Sequence, residues 1–118
     1  MRYFINLLSA AGFALLLTSF AYAENISPQD ASEYVGSSAT VEGVVRQVTT
    51  TGSGTTFINF GGRFPNHVFY AVIFRSNSNQ FSGVRNLEGR AVAISGTVEW
   101  YKGKPQIILS SPDQIELR

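Results

Sequence analysis

The chain of 118 residues carries nine Lys/Arg, eight Asp/Glu, one His and no Cys. The absence of Cys excludes disulfides, thiol chemistry and thiolate–metal sites. The small net charge excludes a global field that would draw the protein to nucleic acid or anionic lipid, so any polyanion site must be local.

Residues 1–23 have the organisation of a cleavable secretory signal. Arg2 supplies the positive charge, an apolar run extends from Leu7 to Phe20, and Ala21-Tyr22-Ala23 places small residues before the cleavage point. The run is shorter than the ~20 residues of a spanning helix, which argues against an uncleaved anchor. We therefore expect a periplasmic or secreted protein, with no membrane insertion after cleavage. Loss of Arg2 leaves eight residues of each charge sign in the mature part, residues 24–118.

The mature part predicts one short helix followed by strands. Ser27 is a capping residue, Pro28 suits the first helical position, Asp30 suits a capping box, and Gly36 ends the helix. Five strands are then predicted over residues 39–50, 55–60, 67–75, 90–101 and 105–110, with a short edge segment over 114–117.

The polar segment 76–88, between the third and fourth predicted strands, predicts one more short helix. Phe81, Val84 and Leu87 recur there at three-residue spacing. Two of the predicted strands contain an internal glycine, Gly43 in the first and Gly96 in the fourth. Such glycines mark the bends by which a small sheet closes on itself.

This order of elements predicts an all-β fold with small α content. It fits a five-stranded OB-fold barrel with a short N-terminal helix and a short helix between strands three and four, forming one domain over residues 24–118. Another small open β-barrel or a β-sandwich is the alternative.

Five segments of the mature chain resemble the OB-fold modules of secreted sugar-nonspecific nucleases. They are 41–45 (VEGVV), 56–62 (TFINFGG), 71–74 (AVIF), 87–90 (LEGR) and 96–107 (GTVEWYKGKPQI). The resemblance implies a nucleic-acid-binding module. It does not imply cleavage, since in such nucleases a separate catalytic domain accompanies the OB module and this length leaves no room for one. The chain is also similar, more loosely, to small stand-alone periplasmic OB-fold proteins.

The residue types that carry catalysis are scattered. His67 is the only histidine, and the acids show no paired-carboxylate or metal-loop spacing. Glu42 and Glu99 could meet across strands, although carboxylates on a β surface are usually solvated. The segment 52–54 lacks the helix and lysine of a phosphate-binding loop and is better explained as a hairpin tip. We therefore expect no enzyme activity, no metal and no cofactor.

Strand alternation predicts an aromatic binding face on the second and third strands. OB folds bind single strands by stacking bases on aromatic side chains there. If the inward residues are Ile58, Phe60, Phe69, Ala71 and Ile73, the outward residues are Phe57, Asn59, Tyr70 and Val72. Tyr70 is the stronger stacking candidate, because Phe57 is equally explained by covering a strand edge. The opposite assignment stays open, since the third strand is apolar on both faces.

Positive charge flanks this face. Arg46, Lys102 and Lys104 are expected to form a cationic rim together with Tyr101, although lysines beside a turn glycine are mostly solubilising. His67 is expected to be exposed or hydrogen-bonded at the rim, and Trp100 to lie in the core. The predicted nucleic-acid-binding residues are Arg46, Phe57, Asn59, Arg63, His67, Tyr70, Tyr101, Lys102 and Lys104.

The leading hypothesis is therefore an exported, non-catalytic module that binds single-stranded DNA or RNA weakly and with salt sensitivity. The second hypothesis is an envelope protein that binds a protein partner or a small cationic ligand, which the neutral mature charge and the location favour. The third is a minimal nuclease. The sequence specifies neither DNA over RNA nor an oligomeric state.

Overall fold

A computed structural model describes residues 24–118 as seven β-strands and four short 3₁₀ helices. The strands are β1 (Glu24–Ile26), β2 (Ser38–Thr50), β3 (Thr56–Phe60), β4 (Phe69–Ile73), β5 (Ala91–Tyr101), β6 (Lys104–Ile108) and β7 (Ile115–Leu117). The 3₁₀ helices are Pro28–Tyr34, Arg75–Gln80, Val84–Leu87 and Pro112–Gln114. The predicted secretory signal, residues 1–23, lies outside the described residues.

Five of the strands close a ring, in the order β2-β3-β4-β6-β5 and back to β2. β2 pairs with β5 through residues 38–44 and with β3 through residues 45–50, so one long strand belongs to two parts of the ring. β5 likewise pairs with β2 through residues 91–97 and with β6 through residues 98–101. A parallel pairing of β4 with β6 completes the ring, and β1 and β7 lie outside it as edge strands.

The glycines predicted to mark bends lie where the two long strands change partner. A Cβ atom on Gly43 would lie 2.7 Å from Cγ of Pro28, and one on Gly96 would lie 2.7 Å from Cγ2 of Ile107. Such distances leave no room for a side chain, so glycine permits the close approach that the bend requires.

The core fills the inside of the ring. The five residues predicted to point inward from β3 and β4 are all fully buried in it, namely Ile58, Phe60, Phe69, Ala71 and Ile73. Of the two assignments that alternation left open, the structure therefore has the first. The face with Phe57, Asn59, Tyr70 and Val72 points away from this core cluster.

The first three 3₁₀ helices lie where helices were predicted, with two corrections, whereas the helix Pro112–Gln114 was not predicted. The backbone of Ser27, not its side chain, caps the first helix, since the N–H of Asp30 donates to the Ser27 carbonyl. The single helix predicted over residues 76–88 is two 3₁₀ helices, because Gly83 between them adopts a left-handed φ of +81°. A three-residue apolar spacing is the period of a 3₁₀ helix.

Trp100 is not in the core, and that prediction is wrong. Its side chain is 55% exposed, because it pairs with Pro105 in the β5–β6 hairpin, beyond Val98, the last buried residue of β5. Alternation placed Trp100 on the same side of β5 as Val98, but the β5–β6 hairpin extends past the end of the core.

Gln114 ties the C-terminal segment to the ring. Its Oε1 accepts hydrogen bonds from the N–H groups of Ser110 (2.8 Å) and Ser111 (3.1 Å). Its Nε2 donates to the carbonyl oxygens of Ser95 (2.9 Å) and Ile108 (3.1 Å). Within residues 24–118, no helix has the length and apolar character needed to span a membrane.

Candidate functional site

Two adjoining clefts lie on the face of β3 and β4 that points away from the core. The first has a volume of about 490 Å³ and the second of about 360 Å³. They adjoin each other, since both are lined by Thr51, Phe57, Tyr70 and Tyr101, and together they are called the groove below.

Seven of the nine predicted binding residues line the first cleft: Phe57, Asn59, His67, Tyr70, Tyr101, Lys102 and Lys104. Arg46 and Arg63 line neither cleft. The ladder between β2 and β3 shifts register between Val45 and Gln47, which makes Arg46 a bulge residue and gives the groove position to Gln47. Nη1 of Arg63 donates to the Arg46 carbonyl at 3.3 Å, so the two arginines stay beside each other at the margin.

Four rings form a row in the first cleft, in the order Phe64, His67, Tyr70, Phe57. The successive ring centroids are 5.7, 5.6 and 5.6 Å apart. The last two contacts are edge-to-face, a geometry that stabilises aromatic pairs. Phe64 is 72% exposed at one end of the row, whereas Tyr70 is buried by its neighbours. Burial and the proximity of Tyr101 raise the pKa of the Tyr70 hydroxyl above its usual value.

His67 is buried, contrary to the exposed or hydrogen-bonded rim position predicted for it. Its ring lies between those of Phe64 and Tyr70, and its Nδ1 is buried without a hydrogen-bond partner among the described residues. Burial lowers the pKa of the imidazole, and the ammonium group of Lys104 lowers it further. Both effects disfavour the charged form, so His67 is neutral at pH 7.

A hydrogen-bond network fixes the polar part of the first cleft. Oε1 of Gln47 accepts from the N–H of Phe64 (2.8 Å) and from Nδ2 of Asn59 (2.9 Å). The backbone N–H can only donate, so it determines which end of the Gln47 amide faces it. Asn59 must then direct its own NH₂ group toward Gln47.

The β5–β6 hairpin places the positive charge. Lys102 and Gly103 form its tip with φ values of +49° and +84°, the left-handed conformations of a two-residue hairpin turn. Nζ of Lys102 lies 5.4 Å from the centroid of the Tyr101 ring. Nζ of Lys104 donates to the carbonyl oxygen of His67 at 2.7 Å. Both lysines therefore line the first cleft in defined positions.

No carboxylate lines either cleft in the part of the chain that the structure describes. Glu99 is the acid nearest in register, opposite Gln106 of the second cleft, and it is exposed. Glu42 does not meet Glu99, because it lies opposite Ala93 and pairs with Arg118. Residues 24–118 contain no group of three His, Cys, Asp or Glu side chains that could hold a metal ion.

Sequence reasoning missed several groove residues. In the first cleft these are Gln47, Thr49, Thr51 and Phe64, and in the second they include Phe74 and Gln106. Gln47 and Thr49 alternate with Val48, which is buried, so their side chains face the groove. The bulge at Arg46 sets this alternation, and the sequence does not show the bulge. Phe64 lies in the connector between β3 and β4, which has no periodicity to interpret.

Comparisons with known proteins give structural neighbours only. No protein-family model and no curated protein matches the chain. Asparaginyl-tRNA synthetase from Pyrococcus horikoshii is similar in structure, with a TM-score of 0.54 and 15% identity over 81% of this chain and 23% of that one. A chain from Leishmania major assigned as an aspartyl-tRNA synthetase has a TM-score of 0.52 and 12% identity over 82% of this chain and 21% of that one.

This chain therefore spans less than a quarter of the length of either synthetase. At such identities the likeness concerns the fold of the matching segment alone. Neither neighbour is a nuclease, so the resemblance to secreted nuclease modules stays a prediction.

Proposed function

We propose that this protein is an exported OB-fold module that binds single-stranded nucleic acid in the groove and does not catalyse a reaction. The observation that carries the proposal is the row of rings from Phe64 to Phe57, which lies beside Lys102 and Lys104 in one cleft without a lining carboxylate.

Three observations support an OB-fold module that binds nucleic acid. The ring contains five strands, with two long, glycine-bent strands that each pair with two neighbours, as an OB barrel requires. The structural neighbours are tRNA synthetases, enzymes whose names identify a nucleic acid as substrate. The groove also lies on β3 and β4, which are the second and third strands of the ring in chain order.

The groove has the two kinds of group that single strands need. Unstacked bases present π-faces to aromatic side chains, and phosphates are neutralised by cations. The exposed Phe64 and Tyr101 rings offer stacking surface, while the lysines lie within the same cleft. With two lysines and a neutral mature domain, the expected binding is weak and salt-sensitive.

The second candidate is a protein or small ligand of the bacterial envelope. The exported location proposed from residues 1–23 favours it, because nucleic acid is scarce there. A cationic ligand suits the groove poorly, since both charged residues that line it are lysines. A pulldown from periplasmic extract that survives nuclease treatment would favour a protein partner over nucleic acid.

Fluorescence anisotropy with a short labelled oligothymidylate tests the proposal. Phe64→Ala removes a side chain that is 72% exposed and makes no core contact, so the fold should persist. Loss of one stacking contact should weaken binding roughly 5- to 100-fold. Trp100→Ala is the matched control, because Trp100 is 55% exposed and lines neither cleft. Absence of binding by the folded wild-type protein at low salt would refute the proposal.

A further inference from the structure

The second cleft has a side-chain amide on its floor. Gln106 lies in the middle of β6, is only 6% exposed, and lines this cleft but not the first. Its amide forms no hydrogen bond within residues 24–118, and both of its polar atoms are accessible, since the one enclosed side-chain atom without a partner there is Nδ1 of His67. Gln106 therefore offers a donor group and an acceptor to a ligand in the second cleft.

The surroundings of Gln106 are aromatic and apolar. Phe74 and Tyr101 are 44% and 50% exposed, whereas Tyr70 and Val72 are nearly buried. The register pairs Gln106 with Tyr70 in the neighbouring strand, so both side chains lie on the same face of the sheet. The volume of about 360 Å³ lies within the range of small-ligand sites.

Positive charge is divided unequally between the two clefts. Lys102 and Lys104 line the first cleft only, and no charged side chain among residues 24–118 lines the second. A phosphate in the second cleft would lose part of its hydration without gaining a cation in exchange. An uncharged planar ring would instead stack on the aromatic side chains and direct its polar edge to the amide. The second cleft therefore suits a neutral ring, and the first cleft suits phosphates.

We infer that the second cleft is the base-binding part of the groove. One nucleobase stacks on the rings there and its edge hydrogen-bonds to the amide of Gln106, while phosphates of the same strand lie against Lys102 and Lys104. The edge of every nucleobase carries both donors and acceptors, so a free amide accepts any of the four. The inference rests on the proposed function and assigns base and phosphate to different clefts.

An abasic oligonucleotide separates the contribution of the bases from that of the phosphates. A strand with tetrahydrofuran in place of each deoxythymidine keeps the backbone charge but has no base. Fluorescence anisotropy should show the wild-type protein binding oligothymidylate roughly 10- to 100-fold more tightly than an abasic strand of the same length.

Gln106→Met tests the amide directly. Met has a side chain of similar length without hydrogen-bonding groups, so the nearly buried position stays filled. The variant should bind oligothymidylate about tenfold more weakly than wild type, because the base loses its hydrogen bonds to the amide. Its binding of the abasic strand and the salt dependence of that binding should not change. Gln80→Met is the matched control, since Gln80 is exposed and lines neither cleft.

Phe74→Ala provides a second variant if Gln106→Met does not fold. Phe74 is 44% exposed, lies outside the core cluster and lines only the second cleft. Loss of its ring should weaken the binding of oligothymidylate roughly 5- to 100-fold and leave the binding of the abasic strand unchanged.

The outcomes separate this inference from the proposed function. Binding of neither strand by the folded wild-type protein refutes the proposed function and the inference with it. Wild-type affinity for oligothymidylate in both variants overturns the inference and leaves the proposed function intact, as does equal wild-type affinity for the two strands. A variant that weakens the abasic strand as much as oligothymidylate shows that the second cleft contacts the backbone, which also overturns the inference.

Discussion

Under the proposed function, the number of lysines in the groove sets the salt dependence of oligonucleotide binding. Only Lys102 and Lys104 line it, and Arg46 and Arg63 lie outside. Each phosphate neutralised on a single strand contributes a slope of about −0.7 to log K against log salt, so two lysines give about −1.4. Affinity should therefore fall roughly sevenfold between 50 and 200 mM salt.

Lys102→Asn is the sharpest perturbation of that slope. Asn tolerates the left-handed backbone that Lys102 adopts at φ +49°, so the hairpin should keep its turn. The slope should fall to about −0.7 when oligothymidylate binding is followed by anisotropy across a salt series. Arg85→Gln is the control, since it removes the same charge from a 3₁₀ helix that lines neither cleft. A wild-type slope steeper than about −3, or an unchanged slope in Lys102→Asn, would refute this account of the groove.

Two further predictions concern stability and ionisation. Gln114→Ala removes four hydrogen bonds to the backbone and should lower the free energy of unfolding by about 2–4 kcal/mol in urea denaturation. Gln80→Ala is the control, because it loses one exposed hydrogen bond and should change the free energy of unfolding by under about 0.5 kcal/mol. Equal effects would contradict the role given to Gln114. An NMR titration of His67 should show a pKa below about 6.5. The free energy of unfolding should therefore decline as the pH falls below about 6.5, because the imidazole takes up a proton more readily in the unfolded chain than in the folded one. His67→Gln should remove that part of the pH dependence, and a pKa above 6.5 would contradict the burial argument.

Alternation was sufficient to divide the residues of β3 and β4 into two faces, but it left open which face is the core, because β4 is apolar on both faces. Residues 57–60 and 69–73 alternate in a regular strand geometry, so the assignment of one face to the core predicted the other face. Gly43 and Gly96 indicated the bends, because a closed ring of five strands needs long strands that change partner. These features depend on local periodicity, which a sequence records directly.

The polar part of the groove depended on features that periodicity does not record. The bulge at Arg46 moves Gln47 into the groove and Arg46 out of it, and no turn residue or glycine marks that shift. The surroundings of His67 include Phe64, whose ring packs beside it from an irregular connector. The prediction that Trp100 lies in the core was wrong for a related reason. Alternation along a strand specifies the side on which a residue lies, but not how far the core extends along the strand.

The proposed function places single-stranded nucleic acid in the groove on β3, β4 and the β5–β6 hairpin. A titration of ¹⁵N-labelled protein with oligothymidylate, followed by amide chemical shifts, tests both the binding and its place. We expect the largest shifts at residues 57–59, 64–70 and 101–104. Shifts confined to β1 and β7, or no shifts at low salt, would contradict it.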